Sequence, residues 1–128
     1  QLPSRPGFDQ DKDGNFVFFE KRGTERGYGE VEASEVYRLQ GNQFQNHHGG
    51  VVAVGDSIIA GHGSNNGLPT CLDLESGEIH WKRRGPGVGS AAVIHADNRF
   101  IFRYQNGVVA LIEADPSGLE TGEITGVL

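Results

Sequence analysis

Two groups of residues have the type and spacing to do chemistry. The first is Asp9-Gln10-Asp11-Lys12-Asp13-Gly14-Asn15-Phe16-Val17-Phe18-Phe19-Glu20. It fits a twelve-position calcium loop, with oxygen ligands at positions 1, 3, 5 and 12, glycine at 6 and an apolar residue at 8. Calcium needs several hard oxygens converging on one point. Asp9, Asp11 and Asp13, the carbonyl of Asn15 and the carboxylate of Glu20 would supply them, the glycine making the sharp turn. Val17 stands at the ninth position, where a polar or water-holding residue is usual. Pro3 and Pro6 break an incoming helix, and Gly23 and Gly27 cut an outgoing one short, so the flanks suit a loop between strands better than a helical hand. The same residues also read as a solvated acidic turn.

The second group is His47, His48 and His62 with Asn46, Asn65 and Asn66, all in glycine-rich loops flanking one apolar strand. Neutral imidazoles there could hold a metal or a haem iron, or poise acid-base chemistry near neutral pH. His47, His48, His62, Asn65 and Asn66 are the candidate cofactor contacts. Against that stands the plainer reading, in which histidines beside Gly49-Gly50 hydrogen-bond loop carbonyls. Lys82-Arg83-Arg84 reads as a charged loop at a strand end, with contact to a small anion or a partner as the alternative. No nucleophile elbow, phosphate loop or paired-thiolate metal motif is present, and whether the chain is an enzyme stays open.

The elements that must position these residues are short strands. Twenty glycines and no methionine among 128 residues, with 36% hydrophobic and 22% charged, point to many tight turns and an all-β chain. The formal net charge of −6 and the absence of a long basic stripe argue against nucleic acid as a partner. Cys71 is the only cysteine, so there is no intrachain disulfide framework, and its strand context suits a small buried hydrophobe. No apolar stretch reaches the length of a membrane span. The chain starts at Gln1 without any methionine, and reads as a processed product or a fragment of something longer.

From His47 onward one pattern is written twice at a spacing of about 40 residues, the range of one propeller blade. The first copy runs through Val51-Val52-Ala53-Val54, turns at Gly55-Asp56, and continues through Ser57-Ile58-Ile59-Ala60 to Cys71-Leu72-Asp73. The second runs through Ala91-Ala92-Val93-Ile94, turns at Ala96-Asp97-Asn98, and continues through Arg99-Phe100-Ile101-Phe102 to Val108-Val109-Ala110-Leu111. Each copy reads as a small antiparallel sheet that needs neighbours on both faces. The expected organisation is an N-terminal segment over 1–34, one blade over 35–84 and a second over 85–128.

At Gly67-Leu68-Pro69-Thr70-Cys71-Leu72-Asp73-Leu74-Glu75-Ser76-Gly77-Glu78-Ile79-His80-Trp81 the chain resembles the tryptophan-docking motif of PQQ-type propeller repeats. In that motif a strand ends in Asp, a Ser/Thr-Gly turn follows, and a Trp on the next strand packs between blades. In the second copy, Asp115-Pro116-Ser117-Gly118 is expected at the turn, with no Trp after it. A wider similarity, over about Glu35 to Glu120, is to PQQ-like repeat proteins of planctomycete-type bacteria, named polyvinyl-alcohol-dehydrogenase-like or grouped with outer-membrane assembly lipoprotein propellers.

The resemblance implies a partial, quinoprotein-like β-propeller located in the periplasm, at the cell surface or in the secreted fraction. Two copies cannot close a ring, so further blades are expected from a longer chain or partner subunits. The expected role is a binding or scaffold module, calcium-stabilised, with protein partners. The alternatives are a quinoprotein-like alcohol dehydrogenase, which would need PQQ or haem that nothing here clearly holds, and one chain of a multi-chain assembly.

Overall fold

The computed structural model describes residues 4–10, 14–22, 32–47, 49–63 and 66–128. Among them the chain forms eleven strands and one short helix, in two compact units, 1–44 and 45–128. The all-β expectation holds.

In the first unit, β1 (Ser4–Gln10), β2 (Phe16–Arg22) and β3 (Glu32–Leu39) make one antiparallel sheet in that order. β3 runs across the 34/35 boundary drawn from the sequence and closes this sheet. Alternation puts Phe8, Phe16, Phe18 and Tyr37 on one face. There Phe8 and Phe18 sit 5.1 Å apart between ring centres, Phe18 and Tyr37 5.1 Å, and Phe44 meets Phe16 edge-on at 4.7 Å.

The second unit holds two four-stranded antiparallel meanders. One is β4 (Val51–Val54), β5 (Ser57–His62), β6 (Leu68–Asp73) and β7 (Ile79–Lys82). The other is β8 (Ala91–Ala96), β9 (Arg99–Tyr104), β10 (Val109–Glu113) and β11 (Ile124–Val127). Asp97 and Asn98, both at positive φ (52° and 58°), make the two-residue turn that joins β8 to β9. Such a turn matches the twist of the strands it connects.

The meanders pack face to face. Ile59, Cys71 and Trp81 from the first meet Ala91, Val93, Phe100, Phe102, Tyr104, Ala110 and Ile112 from the second in one buried cluster. Burial pushes the Cys71 thiol pKa up, in keeping with a structural rather than a reactive cysteine.

The two copies share a register down to the same irregularity. In the first, Cys71 pairs with Trp81 and Leu72 with Ile79, with a bulge between Cys71 and Leu72. In the second, Leu111 pairs with Gly126 and Ile112 with Ile124, with a bulge between Leu111 and Ile112. Gly126 therefore occupies the place of Trp81.

This corrects the placement of the second turn. Asp115-Pro116-Ser117-Gly118 does not make it but opens the helix α1 (Pro116–Thr121). Asp115 caps that helix, its Oδ1 accepting from the Gly118 amide at 3.0 Å and the Ser117 hydroxyl at 2.8 Å, and proline suits the first helical position. The Ser/Thr-Gly turn comes afterwards, at Thr121-Gly122.

Candidate functional site

The contact that unites the two meanders is built around Trp81. Its ring is 8% exposed, and its indole N–H donates to the Leu119 carbonyl at 2.7 Å. Under the ring lies Gly122, whose φ of 66° ends α1 in the left-handed region. A Cβ added there would stand 2.4 Å from Trp81 Cε3, so glycine is required both by the backbone angle and by the ring pressed against it.

The turn that delivers Trp81 is fixed by Asp73, which accepts from the amides of Ser76 at 2.8 Å and Glu75 at 3.1 Å. The Ser76 bonds, backbone first, hold the Asp73 carboxyl below the usual carboxylate range. Leu119 and Gly122, the receiving side, are not picked out by the sequence reading. A signal for Gly122 exists: Glu120-Thr121-Gly122-Glu123-Ile124 repeats Glu75-Ser76-Gly77-Glu78-Ile79 at an offset of 45 residues (77 to 122), masked by the inserted helical turn.

The histidine loops form a structural clasp. His62 Nδ1 accepts the Gln45 amide at 2.9 Å, Gly63 N–H donates to the Gln45 carbonyl at 2.8 Å, and Asn46 donates to the Gly61 carbonyl at 3.2 Å. Burial, and then the positive charge of Lys82, lower the His62 pKa to about 4, so its ring is neutral at physiological pH. His47 Nδ1 and Ser90 Oγ are hydrogen-bonded at 2.7 Å, tying the same loop to the entry of β8. Asn66 is exposed, while His48 and Asn65 lie outside the described residues. Both described histidines thus spend a ring nitrogen on the fold.

Of the calcium-type loop, Asp11 and Asp13 lie outside the described residues. Gln10 pairs with Phe16, so residues 11–15 connect two strands rather than two helices. Asp9 is exposed at the end of β1, and Asn15 is half-buried at the start of the return. Glu20 is set apart: it pairs with Pro6 whereas Asp9 pairs with Val17. Three register positions separate them, and the odd count puts them on opposite faces of the sheet. Glu20 does not fit one ion with Asp9. Among the described residues no three His, Cys, Asp or Glu gather as a metal site.

A depression of about 740 Å³ lies at the end of β7 against the 85–88 loop and is lined in part by Lys82, Arg83 and Arg84. A second, about 510 Å³, is lined by Arg83 and Arg84 on one side and by residues 121–124 on the other. Behind the loop, Tyr104 is fully buried, and Gly87 lies so close that a Cβ there would stand 2.1 Å from its ring. The Tyr104 hydroxyl makes no hydrogen bond among the described residues, and burial pushes its pKa up to about 12.

No protein-family model matches the chain, and no curated protein matches it. Among the described residues no helix is long and apolar enough to cross a membrane.

Proposed function

We propose that the chain is part of a quinoprotein-like β-propeller that works outside the cytoplasm as a binding and scaffold module, with further blades supplied by a longer chain or by partner subunits. The extracytoplasmic placement rests on the resemblance at the docking motif. The observation that carries the architecture is the Trp81 contact, in which one four-stranded meander is locked to the next by a tryptophan following an Asp…Ser-Gly turn. Such head-to-tail docking of like sheets is how radial repeats cover their faces.

The outward face of the second meander supports the demand for a further neighbour. The cross-strand row Val52–Ile59–Cys71–Trp81 faces the partner sheet, and its counterpart, Ile94–Ile101–Leu111–Gly126, faces outward, with Ile94 58% exposed. An apolar row of this kind is an association surface.

On this reading the chain by itself self-associates at micromolar concentration, and Ile94→Glu shifts it towards monomer. Sedimentation velocity with a thermal melt is the test. A monomer with a single sharp transition would overturn the proposal.

Calcium is assigned to the tip of the first hairpin, through Asp9, Asp11, Asp13 and Asn15, without Glu20. Calcium, not magnesium, is then expected to raise the melting temperature, because the smaller ion demands stricter geometry and releases water reluctantly. Asp9→Ala combined with Asp13→Ala should abolish the rise and Glu20→Gln should leave it. Absence of any calcium effect would remove the site.

A further inference from the structure

The basic run at the end of β7 has no role in the docking contact beyond one hydrogen bond. Lys82, Arg83 and Arg84 stand together in a chain of formal net charge −6. Arg83 is pinned: its amide donates to the Pro69 carbonyl at 2.8 Å and its Nε to the Thr121 carbonyl at 2.6 Å. That uses one of the five N–H donors of its guanidinium. Arg84 is exposed and makes no hydrogen bond or ion pair among the described residues. Lys82 is half-buried, and desolvation lowers its pKa, so an anion beside it would be met by an incompletely hydrated ammonium.

The larger depression has no carboxylate among its described lining residues. Beside the cations it offers Asn66 and three apolar groups, Leu68, Pro86 and Val88, the last 64% exposed. Its volume of about 740 Å³ is within the range of ligand sites. Arg83 and Arg84 also line the second depression, but Glu123 stands on its far wall, so an acidic segment is placed in the larger one, whose volume already exceeds what a small ion needs.

The geometry points to a binding site for an extended acidic peptide of a partner protein. Its carboxylates would sit on Arg84 and Lys82, and its intervening apolar side chains on Leu68, Pro86 and Val88. Arginine suits this because its planar fork can hold a carboxylate through two parallel hydrogen bonds. Pinning of Arg83 reduces the ordering that binding would otherwise require. A nucleic acid is disfavoured by the overall negative charge and by the shortness of the basic run. The inference rests on the reading of the chain as a binding module, and is independent of whether that module is a propeller.

The test is fluorescence anisotropy with the chain and a short labelled peptide of alternating glutamate and leucine. Its counterpart, with glutamine in place of glutamate, serves as the neutral control. Saturable binding is expected for the acidic peptide, weakening as salt is added, and absent for the neutral one. Arg84→Glu should weaken it about tenfold or more, while Arg38→Glu, the same charge change at an exposed position of the first unit, should not. Both sites are exposed, so matching melting temperatures will show that the variants are folded. Equal binding of the neutral peptide, an unaffected Arg84→Glu, or tighter binding of single-stranded RNA or phosphatidylserine vesicles would each overturn the assignment. Such a result, with self-association and its loss in Ile94→Glu intact, would leave the architectural proposal standing.

Discussion

The two meanders of the second unit differ most where they should be most alike, in the connection after the third strand. In the first, Asp73 to Gly77 turns tightly and Trp81 follows. In the second, α1 is inserted, and Gly126 stands in the place of Trp81 with Leu111 leaning over it, a Cβ at Gly126 lying 3.1 Å from Leu111 Cδ1. One copy is built to give the docking contact and the other to receive it. The inserted helix is the receiving device, since it presents the Leu119 carbonyl and ends in the glycine under the ring. The second meander cannot pass the same contact onward, and on the proposed reading a further blade would meet its aliphatic row instead.

The largest expected effect follows from removing the giver. Trp81→Ala deletes a buried aromatic and its hydrogen bond, and should cost about 3–5 kcal/mol. Gly122→Ala, which strains both the backbone and the ring, should lower stability by about 1–3 kcal/mol. If the two residues act as one contact, the double variant will lose less than the sum of the single losses in chemical denaturation. Additive losses would separate them and break the comparison.

A smaller effect is expected in pH dependence and belongs to the first meander alone. The folded-state pKa of His62, about 4, is below the value of about 6.5 it has when unfolded. The unfolded chain therefore takes up the proton first. The contribution of the neutral ring is complete above about pH 6.5 and is lost as pH falls towards about 4, with no further loss from this group below that. His62→Gln should flatten the dependence of urea midpoints on pH across that window. An unchanged slope would show that the clasp does not require a neutral ring.

The smallest effect is expected at Tyr104→Phe. Its buried hydroxyl has no partner among the described residues, so deleting it should change stability by less than about 1 kcal/mol and could raise it. A loss of several kcal/mol in a thermal melt would mean that the hydroxyl is bonded after all.

The strands and turns of the second unit were legible because each signal is local. The short apolar runs Ser57–Ala60 and Arg99–Phe102, and Asp97-Asn98 at a turn, need no distant partner to be read. The Trp81 motif was legible for the same reason. Its receiver was not, because six residues of helix displaced Thr121-Gly122 from the offset set by the strands, and Ser117-Gly118 offered a nearer match to the eye. The failure at Glu20 has a different cause. A linear twelve-residue pattern does not say whether its last member returns on a helix, which would bring it back to the ion, or on a strand, which carries it away along β2. The histidines showed their residue type but not their partners, Gln45 and Ser90, which only the folded loops supply.

Trp81 is the only tryptophan in the chain, and it is buried at the joint between the two meanders. Its emission is therefore a native gauge of that joint. Parting of the sheets would bring water to the indole and break its bond to Leu119, shifting the spectrum to the red. Fluorescence and circular dichroism, followed together through one denaturation, would then separate the opening of the joint from the melting of strands without any label.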